Sequence, residues 1–270
     1  MTPYLHDPSP STGNDGHIVF RRSGLAIGEQ YFSAPRPWDN GRIDVLRYIA
    51  SPVPPPRPRT SHEGHTLAID LALEQDRLFS QISSDTRRKI RRALDKDHTE
   101  TSVQGAPSAE VIAEFADTHD DFAKARSLAP VFRPRLYALA ATGSLLLSAA
   151  RSPEGTVLVW HAYVVARARA HLLYSVSLLP SADDSDQRNM IGRANRLLHW
   201  QDIQHAKGRG YDVLDLGGID VTGRSAATTR IAQFKRNFGG EPTPGHSWSE
   251  PRSVRGSLAK FALRLRGSDF

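Results

Sequence analysis

Lys235 and Arg236 stand between Phe234 and Phe238 in IAQFKRNFGG, residues 231–240, which reads as a helix end running into Gly239-Gly240. Two cations there complement the negative end of the helix dipole. A site that must hold an anion would use them equally well. Asp215 lies in YDVLDL, a strand that leads into Gly217-Gly218. Its carboxylate could orient an amine, take the amine's proton, or cap the following turn. The two glycines mark backbone that needs positive φ or the close approach of another chain.

A second group of residues is suited to phosphate. The segment SSDTRRKIRRALDKD reads as a helix capped by Ser84 or Asp85, with Ile90, Ala93 and Leu94 on its apolar face. Arg87, Arg88, Lys89, Arg91, Arg92 and Lys96 occupy the other face. As a solvated face this needs no further explanation. It would also be a strong electrostatic footprint for nucleic acid, with affinity falling steeply in salt. Arg188 and Arg193 flank Asn189-Met190-Ile191-Gly192 and could hold a further phosphate. Trp160, His161, Tyr163, His171, Tyr174 and Ser175 fall in successive strand-like stretches, where Tyr174 could hydrogen-bond a substrate and core packing is the plainer role. His62-Glu63-Gly64-His65 has the wrong spacing for a helical metal pair, and no metal site is expected.

The bulk composition narrows the classes. The 270 residues carry 35 Lys+Arg against 29 Asp+Glu, a net charge of +6, so anionic partners are favoured without being identified. No cysteine is present, which excludes disulfide frameworks, thiolate zinc sites, iron–sulfur clusters and cysteine nucleophiles. No apolar run approaches the roughly 18–20 residues that span a bilayer. MTPYLHDPSPSTGNDG has neither the basic nor the apolar region of a secretion signal, so a cytoplasmic location is expected. No Walker loop, dinucleotide fingerprint or G-x-S-x-G elbow occurs.

These residues need elements to position them. Residues 1–16 read as a flexible tail, and 17–50 as a few short strands. SPVPPPRPRTSHEGH reads as a proline-rich connector, so residues 17–60 form a small N-terminal lobe and linker. Residues 61–250 form the main domain. It opens with the strand TLAIDLAL, the basic helix and the strand ETSVQG; an amphipathic helix follows with Val111, Ile112, Phe115, His119 and Phe122 on one face. A short helix after Pro134 leads to SLLLSAAR, TVLVWHAYVVAR and AHLLYSVSL, joined by turns short enough for an antiparallel meander. LPSADDSDQRNMIG reads as a loop, GRANRLLHWQDIQHAKGRG as a helix, and PGHSWSE as a last strand. Residues 251–270 form a basic helix with Val254, Leu258, Phe261 and Leu265 in one stripe; Arg255, Lys260, Arg264 and Arg266 lie opposite it. That stripe suits docking on the domain first, with phosphate backbone or a membrane surface behind. The expected class is a mixed, largely antiparallel α/β sheet flanked by helices.

Taken in order, RRKIRRALDKD, GYDVLDLGGID and IAQFKRNFGGEP resemble the FemAB-type branch of the GNAT acyltransferase superfamily. Its pattern is an R-x-x-I-R-R-A helix, a G-x-x-x-x-D-x-G-G strand and an F-K-x-x-F-G-G turn, here spread over residues 66–242. The resemblance implies a GNAT-type fold, with amide formation between an amine and an activated acyl or aminoacyl group and no bound cofactor. Lys235 would then sit beside the reacting carbonyl or the acceptor's carboxylate. Asp215 and Tyr174 would be its catalytic partners, with Trp160, His161, Ser175, Gly217, Gly218 and Phe238 lining the substrate. Arg87, Arg88, Arg91, Arg92, Arg188, Arg193 and Arg236 would face phosphate.

The usual pyrophosphate loop of CoA-dependent relatives survives here only as a glycine and an alanine, Gly192 and Ala194. Aminoacyl-tRNA is therefore the expected donor, with acyl-CoA or an acyl carrier protein as the alternative. Residues 17–50 are too short for the second domain of the cell-wall members. A small-molecule or peptide amine is therefore the expected acceptor. A non-catalytic RNA-binding module on the same fold is the remaining alternative.

Overall fold

Alternating apolar residues in most of the strand-like stretches give each strand two faces to bury, and the computed structural model uses both. It describes residues 15–38, 41–55, 61–178, 184–223 and 225–265. Most of the expected N-terminal tail (1–14), part of the expected linker (56–60) and residues 179–183 and 266–270 lie outside those described.

Ten strands form one sheet: β1 (His17–Arg22), β2 (Leu25–Tyr31), β3 (Val45–Ser51), β4 (Ser61–Asp70), β5 (Glu100–Gln104), β6 (Leu145–Arg151), β7 (Val157–Ala166), β8 (Arg169–Ser177), β9 (Val213–Ile219) and β10 (Glu241–Pro251). Their spatial order is β1-β2-β3-β10-β4-β9-β8-β7-β6-β5. Among the described residues β2–β3 and β8–β9 pair in parallel, and the other neighbours are antiparallel. This is the mixed, largely antiparallel sheet expected from the sequence. The β3–β10 pairing makes residues 17–51 an extension of the main sheet.

Helices cover both faces. On one lie α1 (Gln75–Gln81), α2 (Ser84–Asp95), α5 (Ser185–Gly208) and α6 (Ala226–Arg236), around a core that includes Leu67, Ile90, Leu146, Tyr163, Leu197, Leu216 and Phe238. On the other lie α3 (Ala109–Ala125) and α4 (Arg133–Ala141), over Phe115, Leu136, Leu147, Trp160, Ala162 and Val176. The last helix, α7 (Val254–Leu265), touches this second core through Ala259.

Several local expectations are corrected. Ser83, rather than Ser84 or Asp85, caps α2, its hydroxyl accepting from the Thr86 N–H. Leu94 is exposed, so the buried side of α2 is Thr86, Ile90 and Ala93. Ser61–His65 belong to β4 rather than to a linker, because they pair with Pro244–Trp248, and His65 also with Ile219. Ser185–Gly192, expected in a loop, are the first two turns of α5, started by the Asp184 carboxylate accepting from the Gln187 N–H. The apolar stripe of α7 faces outward: Val254, Leu258 and Phe261 are exposed while Lys260 is buried.

Candidate active site

The β8–β9 ladder stops at His171–Asp215, although β8 runs on to Ser177 and β9 to Ile219. Beyond that point β8 stays bonded to β7 and β9 to β4. A register shift at Leu173 turns β8 further: Tyr163 faces Leu172 and Ala162 faces Tyr174. The middle of the sheet therefore opens into a wedge whose facing edges no longer satisfy one another. Gly217 stands at its apex with φ of +77°, and a Cβ there would lie 2.9 Å from the Leu172 carbonyl oxygen. No side chain fits at that point.

The expected residues Asp215 and Lys235 meet at this apex. Asp215 is fully buried; its Oδ1 accepts from the Gly217 N–H at 2.7 Å. Arg169 donates to its Oδ2, and His171 Nδ1 lies 2.9 Å from the same oxygen. Burial pushes the Asp215 carboxyl up, but the hydrogen bonds and charges of His171 and Arg169 outweigh it and hold the group well below the usual carboxylate range. Asp215 is thus an anion with its acceptor capacity committed, and it fixes the glycine turn.

Lys235, in the last turn of α6, donates from Nζ to the Gly218 carbonyl at 2.7 Å. Its Nζ lies 3.6 Å from where a Gly217 Cβ would stand. Desolvation lowers the Lys235 ammonium to about 8, against the opposing pull of Asp215. A cation thus faces the wedge, easily neutralised within the ordinary pH range. Phe234 and Phe238 pack edge to face on either side of Lys235 in sequence, 5.4 Å apart, and Phe238 is buried. The glycines after them have φ of +82° and +83°, and a Cβ on Gly240 would come within 2.6 Å of the Ala68 carbonyl oxygen.

Behind the two phenylalanines is a buried polar network. His199 lies 4.8 Å from Phe238 and 4.2 Å from His161, ring centre to ring centre. His161 Nδ1 is 2.6 Å from Asp202 Oδ2, which also accepts from the Tyr163 hydroxyl at 2.7 Å; His161 Nε2 is 2.9 Å from Asn195 Oδ1. Burial, and then the Asp202 charge, push the Tyr163 hydroxyl well up, so it stays a donor. Burial, reinforced by His161 and Lys235, pushes His199 well down and keeps it neutral. His161, His199 and Asp202 bring their potential ligand atoms within 4.8 Å of one another. Both His161 nitrogens are hydrogen-bonded, whereas the buried His199 Nδ1 and Asp202 Oδ1 have no hydrogen-bond partner among the described residues.

On the same face, α2 and α5 enclose a basic pocket of about 530 Å³, lined by Arg88, Lys89, Arg92, Arg188, Arg193 and Arg196, with Asp186, Asn189 and Gly192. Arg193 is held bidentately by Asp97 at 2.5 and 2.8 Å. Arg196 donates to the Gly192 carbonyl at 2.6 Å and lies over the Phe234 ring at 5.1 Å. It joins the pocket to the Lys235 helix. Because residues 189–194 lie inside α5, their N–H groups are engaged in the helix and cannot cradle a pyrophosphate.

Other expected residues lie apart. Tyr174 stacks edge to face on His119 at 4.8 Å, and Trp160 is buried against Phe115, both on the α3 side of the sheet. Ser175 is exposed, opposite His161 in register. Gly218, whose carbonyl takes the Lys235 hydrogen bond at the apex, has open space where a Cβ would stand. Arg87 donates to the Ser80 carbonyl at 3.2 Å, Arg91 lies over Phe79, and Arg236 is exposed; none of the three lines the pocket. Sequence reasoning missed Arg169, Arg196, Asn195, His199 and Asp202. Asn195, His199 and Asp202 were detectable: they recur at i, i+4 and i+7, a polar line along an otherwise buried helix face.

No protein-family model and no curated protein sequence matches the chain. Solved structures do. The crystal structure of FemX superposes with a TM-score of 0.59 at 13% identity, over 91% of this chain and 85% of that one. The C-terminal domain of a putative lysylphosphatidylglycerol synthetase from Agrobacterium fabrum gives 0.51 at 13% identity, over 93% and 89%. The chain thus has a GNAT-like fold, similar overall to that of FemX.

Proposed function

We propose that the chain is an acyltransferase that forms an amide by moving an aminoacyl group from aminoacyl-tRNA to an amine of a small molecule or peptide. The observation that carries the reading is the six-cation pocket on the same face as Lys235, linked to it through Arg196 over Phe234. Its cations would hold the phosphates near the charged tRNA terminus, and the wedge beside Gly217 would receive the ester. Both sequence resemblance and fold likeness to FemX agree with this assignment.

In the reaction the amine nitrogen attacks the ester carbonyl carbon and negative charge gathers on the carbonyl oxygen. The Lys235 ammonium would stabilise that charge; one such donor contributes on the order of 10²–10³ in rate. The C–O bond to the ribose then breaks, the amide remains on the acceptor, and the proton lost by the amine ends on the ribose hydroxyl. Asp215 acts through Gly217, holding the turn that brings Gly218 and Lys235 together. An acyl-CoA donor is less favoured because the α5 start is capped by Asp184 and its glycine lies two turns inside the helix.

The test supplies the protein with labelled aminoacyl-tRNA, or labelled acyl-CoA, and a panel of amines. Label transfer from tRNA, lost in Lys235→Ala, supports the assignment. Transfer from acyl-CoA alone, or salt-sensitive RNA binding with no transfer, overturns it.

A further inference from the structure

The three most exposed large apolar side chains among the described residues lie together on α7: Val254 at 76%, Leu258 at 64% and Phe261 at 63%. Their i, i+4, i+7 spacing puts them on one stripe of the helix. The side that packs on the protein is poorer in apolar surface. It consists of Gly256 against the Asp44 carbonyl, Ala259 on the second core, and Lys260, which is buried and donates to the Ser249 carbonyl. Burying a lysine while exposing a phenylalanine one residue away reverses the usual preference. This orientation is fixed by the backbone. A Cβ at position 256 would lie 1.9 Å from the Asp44 oxygen, so only this face of α7 approaches so closely.

We propose that α7 lies in the interfacial plane of an anionic phospholipid bilayer, its Val254–Leu258–Phe261 stripe inserted at the headgroup boundary. The helix VRGSLAKFALRL carries cations and no acid. Arg255 projects beside the stripe, donating to the Gly24 carbonyl, and Arg255 and Arg21 both bear on Asp44. An apolar stripe with a basic flank matches the layering of a bilayer, where anionic headgroups lie above acyl chains. A second copy would oppose one basic rim to another, on a chain of net charge +6. Nucleic acid would use the cations and leave the stripe in water. No helix among the described residues is long and apolar enough to cross a membrane, so the attachment is peripheral.

The experiment is flotation of the full chain with vesicles of phosphatidylglycerol and phosphatidylcholine, or of phosphatidylcholine alone, at two salt concentrations. The wild type is compared with Leu258→Ser/Phe261→Ser, a surface double variant whose fold is checked by circular dichroism. Expected is flotation with anionic vesicles, weakened by salt, absent with neutral vesicles and reduced at least tenfold in the double variant. Three results would overturn the proposal: no flotation, equal flotation of the double variant, or a dimer that the double variant dissociates. The readout does not involve acyl transfer, so the proposal stands or falls separately from the catalytic assignment.

Discussion

The Lys235 ammonium donates to the Gly218 carbonyl at 2.7 Å, which ties the last turn of α6 to the strand end where the sheet divides. The same residue is desolvated enough to bring its pKa down to about 8. If the charged form stabilises the carbonyl oxygen, the rate falls as pH rises through about 8. A base would give the reverse limb. Lys235→Ala should lose on the order of 10²–10³ in kcat/KM. Lys235→Arg should retain part of the rate and move the falling limb above pH 8, because guanidinium stays charged. A pH–rate profile of the three proteins decides it; a wild-type rate that climbs between pH 7 and 9 would assign Lys235 as the base.

Asp215 is argued to act through the fold, so its removal should register first in stability. It is a buried anion held by Arg169 and His171, and breaking one side of such a pair costs about 3–5 kcal/mol. Asp215→Ala should lower the unfolding free energy by that amount in urea at pH 7. The folded carboxyl lies below its unfolded value. Its contribution is therefore complete above about pH 4 and is lost as pH falls further. The variant should show a flatter acid limb than the wild type. Equal midpoints for the two proteins at pH 7 would remove the structural role.

The pocket cations divide by what already neutralises them. Arg92 lines the pocket, whereas Arg193, which also lines it, is paired bidentately with Asp97. Arg92→Ala should weaken RNA binding and reduce the slope of log affinity against log salt by about 0.7–0.9. Arg193→Ala should change that slope less and lower thermal stability more, since it strands Asp97. Fluorescence anisotropy across a salt series, with melting curves alongside, separates the two behaviours. A common slope change for both variants would contradict the division.

What could be read from the chain beforehand follows physical locality. The β6–β7–β8 meander was legible because SPEG and RARA leave room only for tight turns. The start of α5 was not, since Ser, Ala and Asp residues before Gln187 read as loop until Asp184 is seen capping it. Lys235 beside its glycine turn and Asp215 before its glycine pair stand out in the sequence, and the family resemblance implies their roles; that they share one turn through Gly217 and Gly218 is a tertiary fact. Arg196 gains its place from α2 packing across α5, which no local pattern encodes. The α7 stripe is legible as a stripe, but the direction it faces is not. Gly256 and the Lys260 hydrogen bond decide the contact face there, and hydrophobicity alone does not.

Gly217 and Gly218 look equivalent in sequence and should behave oppositely. Gly217 has φ of +77°, and a Cβ there would stand 2.9 Å from the Leu172 carbonyl oxygen; Gly218 has nothing within 4 Å of that position. Backbone cannot yield as a flexible side chain can, so Gly217→Ala must either push β8 from β9 or twist the turn that carries the Gly218 carbonyl. Strain of this kind is worth of the order of 1–3 kcal/mol before any clash is added. Gly217→Ala should therefore lose at least that much stability and most of its transfer activity, by displacing Lys235's acceptor. Gly218→Ala should unfold within about 1 kcal/mol of wild type. A lower kcat/KM in Gly218→Ala at unchanged stability would then mark substrate contact at this glycine. Chemical unfolding and single-turnover transfer on both variants make the comparison; a Gly217→Ala protein as stable as wild type would refute the close packing at the apex.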